Sequence, residues 1–342
     1  MQIVQDISSP GRTTADGKHD FPEVEKSASQ IDHMLATQID PSGSVVVSGF
    51  WRSGTTWLQE CLAEILGAKT VFEPFHFRVP ATKQLFKYYG LKQKSESVRE
   101  LFIPWCGEPV LAPHSLLYCY YDSALRADLG GHIVRLLRKD LAESYRPRVV
   151  VKFTRGQFSL PSAQRTFAMP LIHVYRDPRA VIASAKMTDW YWLFDHLSLQ
   201  EQLLEPKDGR ADYFSRYAEA IREYDQDKIA RLAAYWALTE KFMLEAFAAT
   251  SRRVVLVSYE ELCQKPASVL EILTQLNVPH TWHGNFPALR GDSFSTSEQR
   301  RGASSSDRIS GWRNVLSSGE ISTIVSIVQY FGLNIQSEEN VR

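Results

Sequence analysis

The sequence predicts an α/β fold in which helices cover both faces of a central, mainly parallel sheet. Four short runs rich in valine, isoleucine and leucine are typical of strands that are buried on both faces. They span residues 44–50, 148–153, 171–175 and 253–259. Helical patterns follow three of these runs, and strands that alternate with helices favour a parallel sheet in three layers.

The helical patterns can be placed in chain order. After the first run, residues 56–66 carry apolar side chains at helical spacing, and Gly67 is a natural stop. The other predicted helices are a short one near 27–36, one beginning at 180–186, one over 266–276, two within 213–250 and one over 321–331.

The length allows one large domain or two modest ones. The chain has 342 residues, of which 44% are hydrophobic and 23% are charged. These values exclude a disordered or fibrous chain and allow a large core. With no internal repeat and no clear linker, we predict a polar lead-in over residues 1–43, a single domain over 44–335 and a polar tail over 336–342.

The charge and cysteine patterns exclude several classes of function. Lysine and arginine together number 39, as do aspartate and glutamate, so the basic excess typical of nucleic-acid-binding proteins is absent. The four cysteines form no C-x-x-C pair and no metal-ligand spacing is present, so we expect no metal. The sequence also lacks a secretory signal and a membrane-spanning run, and we expect a cytoplasmic protein.

The strongest motif joins the first predicted strand to the first predicted helix. It reads G-x-x-x-x-G-T-T from Gly49 to Thr56. The Walker A loop, G-x-x-x-x-G-K-[ST], has the same glycine spacing and holds phosphates with backbone N–H groups at a helix N-terminus. The motif therefore predicts an anion-binding loop; the alternative is a turn that only connects the strand to the helix.

The position of the cation distinguishes this loop from Walker A. Thr55 stands where the Walker lysine reaches the β and γ phosphates, and the cation has moved back to Arg52. The loop can still bind a short anion with its N–H groups, with the hydroxyls of Ser53, Thr55 and Thr56, and with the planar guanidinium of Arg52. The pattern argues against hydrolysis of ATP or GTP.

Two motifs resemble those of one enzyme family. The string R-S-G-T-T-W-L over residues 52–58, including Gly54, resembles the 5′-phosphosulfate loop of sulfotransferases, which use 3′-phosphoadenosine-5′-phosphosulfate (PAPS). Residues 175–184, Y-R-D-P-R-A-V-I-A-S, resemble the 3′-phosphate segment of the same family. The resemblance implies a P-loop-like fold and implies that Arg176 and Ser184 bind the 3′-phosphate. The alternative for residues 176–179 is a charged surface turn.

Weaker similarities extend the implied nucleotide site. By resemblance Trp57 stacks on adenine, although it also lies on the apolar stripe of its helix. Tyr259, in the segment 257–262, resembles a residue near the nucleotide, and Arg301 and Gly302 resemble a segment that touches the 3′-phosphate.

The resemblance implies transfer of a sulfuryl group from PAPS, without a metal, to a hydroxyl or amine, with 3′,5′-adenosine bisphosphate (PAP) as the other product. Arg52 would stabilise charge, and Lys152 would lie near the sulfonate or only pair with an acid. The segment F-E-P-F-H-F over residues 72–77 resembles carbohydrate-type and bacterial members of the family. It makes Glu73 the first candidate for the general base and His76 the second; the alternatives are a solvated carboxylate and a packed histidine.

The acceptor is less defined by the sequence. We expect a saccharide or a small hydroxylated metabolite, no nucleic-acid partner and no membrane span. Aromatic residues over 188–204 and 102–121 could line its pocket or belong to the core. Two other functions remain open: a P-loop kinase or NTPase with a degenerate Walker A loop, and a nucleotide-binding module without catalysis.

Overall fold

Five parallel strands form the central sheet of the computed structural model, which describes residues 36, 38–76, 79, 82, 85, 87, 103–129, 148–188, 198–248, 253–281, 291–293, 296 and 301–334. The strands are β1 (Val45–Gly49), β2 (Lys69–Phe72), β3 (Val149–Phe153), β4 (Leu171–Tyr175) and β5 (Val254–Ser258). Their order in the sheet is β2-β3-β1-β4-β5, so β1 lies at the centre.

Helices surround this sheet throughout the described part of the chain. In chain order they are α1 (Thr55–Leu66), α2 (Leu116–Leu125), α3 (Leu160–Phe167), α4 (Pro178–Met187), α5 (Leu199–Leu203), α6 (Arg210–Phe214), α7 (Ala218–Tyr224), α8 (Lys228–Ala248), α9 (Tyr259–Gln264), α10 (Ser268–Gln275), α11 (Ser305–Ser310) and α12 (Ser318–Tyr330). Within these described segments, no helix combines the length and apolar character needed to cross a bilayer.

Two hydrophobic clusters cover opposite faces of the sheet. In β1, Val45 and Val47 pack with α1, α9 and α10, whereas Val46 packs with α2, α3, α4, α8 and α12. Side chains of a strand alternate between faces, so a strand covered by helices on both sides favours apolar residues at successive positions. This is the physical reason for the continuous valine run, and it confirms the predicted α/β fold with helices on both faces.

The structure corrects the predicted elements in a few places. The strand β2 and the helices α2, α3, α5, α9 and α11 were not predicted, and α6 begins before the predicted helical region 213–250. β2 has only four residues and lies at the edge of the sheet, and its outer residues are half-buried, so it leaves little periodicity in the sequence. The predicted strands are one residue too long at one or both ends, except for 171–175. The short helix near 27–36 lies outside the described residues, apart from residue 36.

Candidate functional site

The loop between β1 and α1, residues 50–54, lies at the carboxyl edge of the sheet. β1 is flanked by β3 on one side and β4 on the other. The chain leaves β1 for one edge of the sheet and later adds β4 and β5 on the opposite side. Ligands of open α/β sheets bind at such a reversal of strand order. The twelve-residue helix α1 begins directly after the loop, and its first N–H groups have no partners within the helix.

Close packing fixes the path of this loop. Gly54 has a φ of 81°, and a Cβ built there would lie 2.3 Å from the ring of Tyr259. At Gly49 a Cβ would lie 2.4 Å from the carbonyl oxygen of Val174. Arg52 has a φ of 67°, which is an uncommon conformation for a side chain other than glycine. Two glycines and one strained arginine therefore hold the loop tightly against β4 and α9.

The loop buries polar groups that its own structure does not satisfy. Ser53 is buried, and its Oγ has no hydrogen-bond partner among the described residues. Thr55 and Thr56 are buried beside it at the start of α1. A buried hydroxyl without a partner costs free energy. A ligand with acceptor oxygens, placed at this loop, would satisfy it.

Arg176 connects this loop with the C-terminal part of the domain. Its two Nη atoms donate to the carbonyl oxygens of Arg52, at 2.7 Å, and Arg308, at 2.8 Å. Its guanidinium stacks on the ring of Tyr259, with Cζ 4.3 Å from the ring centroid. The remaining donor, Nε, is buried and has no partner among the described residues. Arg52 in turn donates from its Nε to the Oγ of Ser184 at 2.9 Å, so the residues of the two sequence motifs are in contact.

Glu73 is the centre of a second buried cluster. It follows β2, has a φ of 49° and is 5% exposed. One carboxylate oxygen accepts from Lys152 Nζ at 2.9 Å and from Thr154 Oγ1 at 2.5 Å; the other accepts from Arg155 Nη1 at 3.2 Å. Burial raises the pKa of Glu73, but the charges of Lys152 and Arg155 and the hydrogen bond from Thr154 outweigh it and lower the pKa to about 2.

The cluster has more positive than negative charge. Burial, together with the neighbouring Arg155 and Arg52, lowers the pKa of Lys152 below its usual range, although Glu73 opposes this shift. A carboxylate flanked by two cations is ionised, while the cations repel each other. An anion that binds next to Lys152 would relieve this repulsion.

Lys152 links the two clusters directly. Its Nζ lies 2.9 Å from Thr56 Oγ1 at the start of α1 and 2.9 Å from the Glu73 carboxylate. It also lies 3.7 Å from the ring centroid of Phe72. One ammonium group therefore contacts both the first turn of α1 and the carboxylate of Glu73.

The structure decides between several of the alternatives that the sequence left open. Glu73 is buried and ion-paired, and is not a solvated loop carboxylate. Lys152 has its acid partner and also contacts Thr56 at the start of α1. Residues 176–179 are not a surface turn, because Arg176 and Arg179 are both buried. His76 is half-buried, and its backbone N–H donates to the carbonyl oxygen of Glu73 at 2.8 Å.

The remaining predicted nucleotide residues have different surroundings. Trp57 packs within the hydrophobic cluster of α1. Tyr259 contacts the loop, as described above, whereas Arg301 and Gly302 are exposed. The aromatic residues Trp190 and Trp192, and His196, lie outside the described residues. No group of three metal-ligating side chains occurs in the described part of the chain.

Sequence reasoning missed three residues of these clusters. Thr154 and Arg155 follow β3, and polar residues just after a buried strand were a usable signal for them. Arg308 contributes a backbone carbonyl, for which no side-chain pattern gives a signal.

Comparison with known proteins gives one family match. The model of a family described as the sulfotransferase family matches residues 44–283. No curated protein sequence matches the chain significantly.

Solved structures show likenesses at low identity. The sulfotransferase domain of the curacin biosynthetic pathway is 17% identical, with 85% of this chain and 98% of that chain covered and a TM-score of 0.40. A retinol dehydratase in complex with retinol and PAP is 13% identical, with 92% and 88% covered and a TM-score of 0.40. Sulfotransferase STF1 from Mycobacterium tuberculosis is 14% identical, with 84% and 86% covered and a TM-score of 0.38.

Proposed function

We propose, from the premise that this chain belongs to the sulfotransferase family, that it transfers a sulfuryl group from PAPS to a hydroxyl or amine of a saccharide or a small hydroxylated metabolite. The family match makes the chain a sulfotransferase enzyme. The donor, the acceptor class and the residue roles below are our proposal. The saccharide preference depends on the F-E-P segment at residues 72–74 alone.

The observation that carries the proposal is the pair of buried donors without partners. Ser53 Oγ belongs to the loop, and Arg176 Nε belongs to the segment after β4; neither has a partner among the described residues. PAPS has anionic groups at two positions, the 5′-phosphosulfate and the 3′-phosphate. We place the first at the loop and the start of α1, with Ser53, Gly54, Thr55 and Thr56. We place the 3′-phosphate at Arg176 and Ser184, with the adenine near Trp57 and Tyr259 and the exposed pair Arg301 and Gly302 at the rim.

The chemistry is an in-line displacement at sulfur. The acceptor oxygen or nitrogen forms a bond to sulfur, and the bond from sulfur to the bridging oxygen of the 5′-phosphate breaks. The electron pair leaves with PAP, and the acceptor proton passes to a base. Arg52, Lys152 and the N–H groups of α1 provide positive charge beside the leaving oxygen and the sulfonate, and preorganised charge of this kind usually lowers the barrier more than any other effect. With these charges the reaction can be written without a metal.

Glu73 is the proposed base, and its contacts suggest when it acts. With a pKa of about 2, Glu73 is a weak base as long as both Lys152 and Arg155 form ion pairs with it. A donor sulfonate beside Lys152 would share the ammonium with Glu73 and add a negative charge nearby, and both effects raise the pKa of a carboxylate. His76 remains the second candidate.

The proposal is tested by titration of PAP, in the absence of metal, into the wild-type protein and the Arg176→Ala variant. We expect micromolar binding that weakens by about 1–3 kcal/mol in the variant, which is the scale of a lost charge-assisted hydrogen bond. Because Arg176 also holds two carbonyl groups, thermal unfolding of each protein serves as the control.

Two outcomes would contradict the proposal. If the folded wild type binds neither PAPS nor PAP, the donor is wrong, and magnesium-dependent ATP turnover would then support a kinase or NTPase. If PAP binds tightly but no acceptor in a broad panel of sugars, phenols, alcohols and amines is sulfated, the chain is a nucleotide-binding module.

A further inference from the structure

Two arginine side chains stack on the indole ring of Trp312. The Cζ atom of Arg179 is 4.1 Å from the ring centroid, and that of Arg313 is 4.6 Å away. Trp312 is 5% exposed and belongs to a 3₁₀ turn over Gly311–Asn314. Guanidinium groups over an indole face are attracted by the ring quadrupole, more strongly when the contact is desolvated. Residues 301–317 are called the C-terminal segment below.

Arg179 is held rigidly before it meets Trp312. Asp177 accepts from Arg179 Nε at 3.0 Å, from Nη2 at 2.7 Å and from the Arg179 backbone N–H at 2.8 Å. The backbone N–H of Asp177 donates to a carboxylate oxygen of Glu260 at 3.2 Å. The plane of the Arg179 guanidinium is therefore fixed, and this fixed plane orients the indole ring of Trp312.

The C-terminal segment docks on the same connection that carries Arg176. Arg176 and Arg179 are three residues apart, between β4 and the first turn of α4. The carbonyl oxygen of Arg308, in the C-terminal segment, accepts from Arg176 Nη2 at 2.8 Å. Arg308 is also held by its ion pair with Asp292. The place of Trp312 on Arg179 contributes to where the Arg308 carbonyl lies, and this carbonyl is one of the groups that fix the orientation of the Arg176 guanidinium.

We infer that Arg179 and Trp312 are positioning residues which, through the C-terminal segment, aim Arg176 at the 3′-phosphate of the donor and so determine discrimination between nucleotides with and without that phosphate. The inference rests on the proposed function, because it assumes a PAPS site at Arg176. Neither residue touches the reacting atoms. Arg176 Nε, which is left without a described partner, is the donor that this arrangement directs.

A second attachment of the same region provides a matched control. Lys186, near the other end of α4, pairs with Glu320 at 2.7 Å and is 39% exposed at its side chain. Lys186 Nζ also donates to the carbonyl oxygen of Val315, within the C-terminal segment, at 3.5 Å. Breaking these contacts loosens a different attachment of the segment without a change at Arg179 or Arg176. Exposed pairs of this kind contribute little to stability.

The test compares the dissociation constants of PAP and adenosine 5′-phosphate (AMP), which lacks the 3′-phosphate, by calorimetry. Trp312→Leu removes the ring and keeps an apolar side chain, and Trp312→Phe keeps an aromatic face. We expect Trp312→Leu to reduce the preference for PAP over AMP by about tenfold, the effect of a lost desolvated cation–π contact transmitted to Arg176. Affinity for AMP stays the same within about twofold, the scatter expected when no direct contact is lost. Trp312→Phe retains most of the preference, and Lys186→Gln retains all of it.

A structural role without positioning gives a different result. If Trp312→Leu weakens PAP and AMP equally, or leaves their ratio unchanged, the inference is wrong. If Trp312→Leu does not fold, Arg179→Lys takes its place, because lysine keeps the charge but loses the planar stack and the paired contacts with Asp177; an unchanged ratio in that variant also overturns the inference. If the wild type itself shows no preference for PAP over AMP, it is the proposed function that fails.

Discussion

The two buried polar clusters of this protein differ in how their hydrogen-bonding groups are used. At the loop of residues 50–54, Ser53 Oγ and the neighbouring Arg176 Nε have no partner among the described residues. Around Glu73, both carboxylate oxygens accept from charged or hydroxyl donors. The first cluster has buried donors that an anion from outside would satisfy, whereas the hydrogen bonds to the Glu73 carboxylate are complete without one. Under the proposed function, this difference means that the proposed donor site is preformed and that the proposed base becomes effective only after Lys152 has another anion to contact.

The variant with the largest expected effect on this contrast is Glu73→Gln, which removes the carboxylate. We expect sulfuryl transfer to fall by about 10²–10⁴-fold, the usual contribution of a general base, while PAP affinity changes by less than about threefold, because the loop keeps its own donors. Steady-state kinetics and calorimetry measure the two quantities. The variant leaves Lys152 without its carboxylate, so its folded state is checked by circular dichroism. Equal losses of activity and PAP affinity would mean that the two clusters are one binding site and that Glu73 is not a base.

The pH dependence of the unfolding free energy tests whether Glu73 is ionised in its buried cluster. Glu73 has a folded pKa of about 2 against an ordinary value of 4.5. Because the folded pKa is the lower one, the stabilisation is present above pH 4.5 and is lost as the pH falls towards 2. The difference corresponds to about 3 kcal/mol of unfolding free energy.

Urea unfolding at several values between pH 6 and pH 2 measures this pH-dependent stabilisation. Glu73→Gln is the control, since it has no carboxylate at this position and should show a shallower acid dependence. Parallel curves for the wild type and the variant would refute a buried ionised Glu73.

The variant with the smallest expected effect is Ser53→Ala in the loop. Since Ser53 Oγ has no partner among the described residues, its removal should leave the melting temperature unchanged or raise it. PAP affinity should fall by about 0.5–1.5 kcal/mol, the net value of one hydrogen bond. Thermal unfolding and calorimetry measure the two effects. Thr56→Val is the comparison, because it removes a hydroxyl that Lys152 already contacts. A loss of stability in Ser53→Ala without a loss of affinity would contradict the description of the loop as a preformed anion site.

The fold and the loop were predictable because their signals are local. A strand covered on both faces requires continuous apolar residues, and a loop that must turn tightly requires glycine, as at Gly49 and Gly54. The family membership followed from the same short strings.

The environment of Glu73 was not predictable in this way. Pairing of β2 with β3 sets Phe72 opposite Lys152, which brings Glu73 beside Thr154 and Arg155. β2 is too short to leave a periodic pattern, so the register that unites these residues could not be derived. The stacking of Trp312 on Arg179 likewise joins two segments that are far apart in the chain.

The contacts of Arg176 have a consequence for the order of folding. Arg176 is 124 residues from its partner Arg52 and 132 residues from its partner Arg308. Closing loops of such length is entropically costly, and contacts between distant residues form late along the folding pathway. The pairing of β1 with β4 joins residues that are equally far apart. We therefore expect the ability to bind PAP to be acquired in the last cooperative step of refolding, together with this long-range pairing. A ligand that binds only this finished state stabilises it by mass action, so PAP should slow global unfolding without speeding the formation of the sheet.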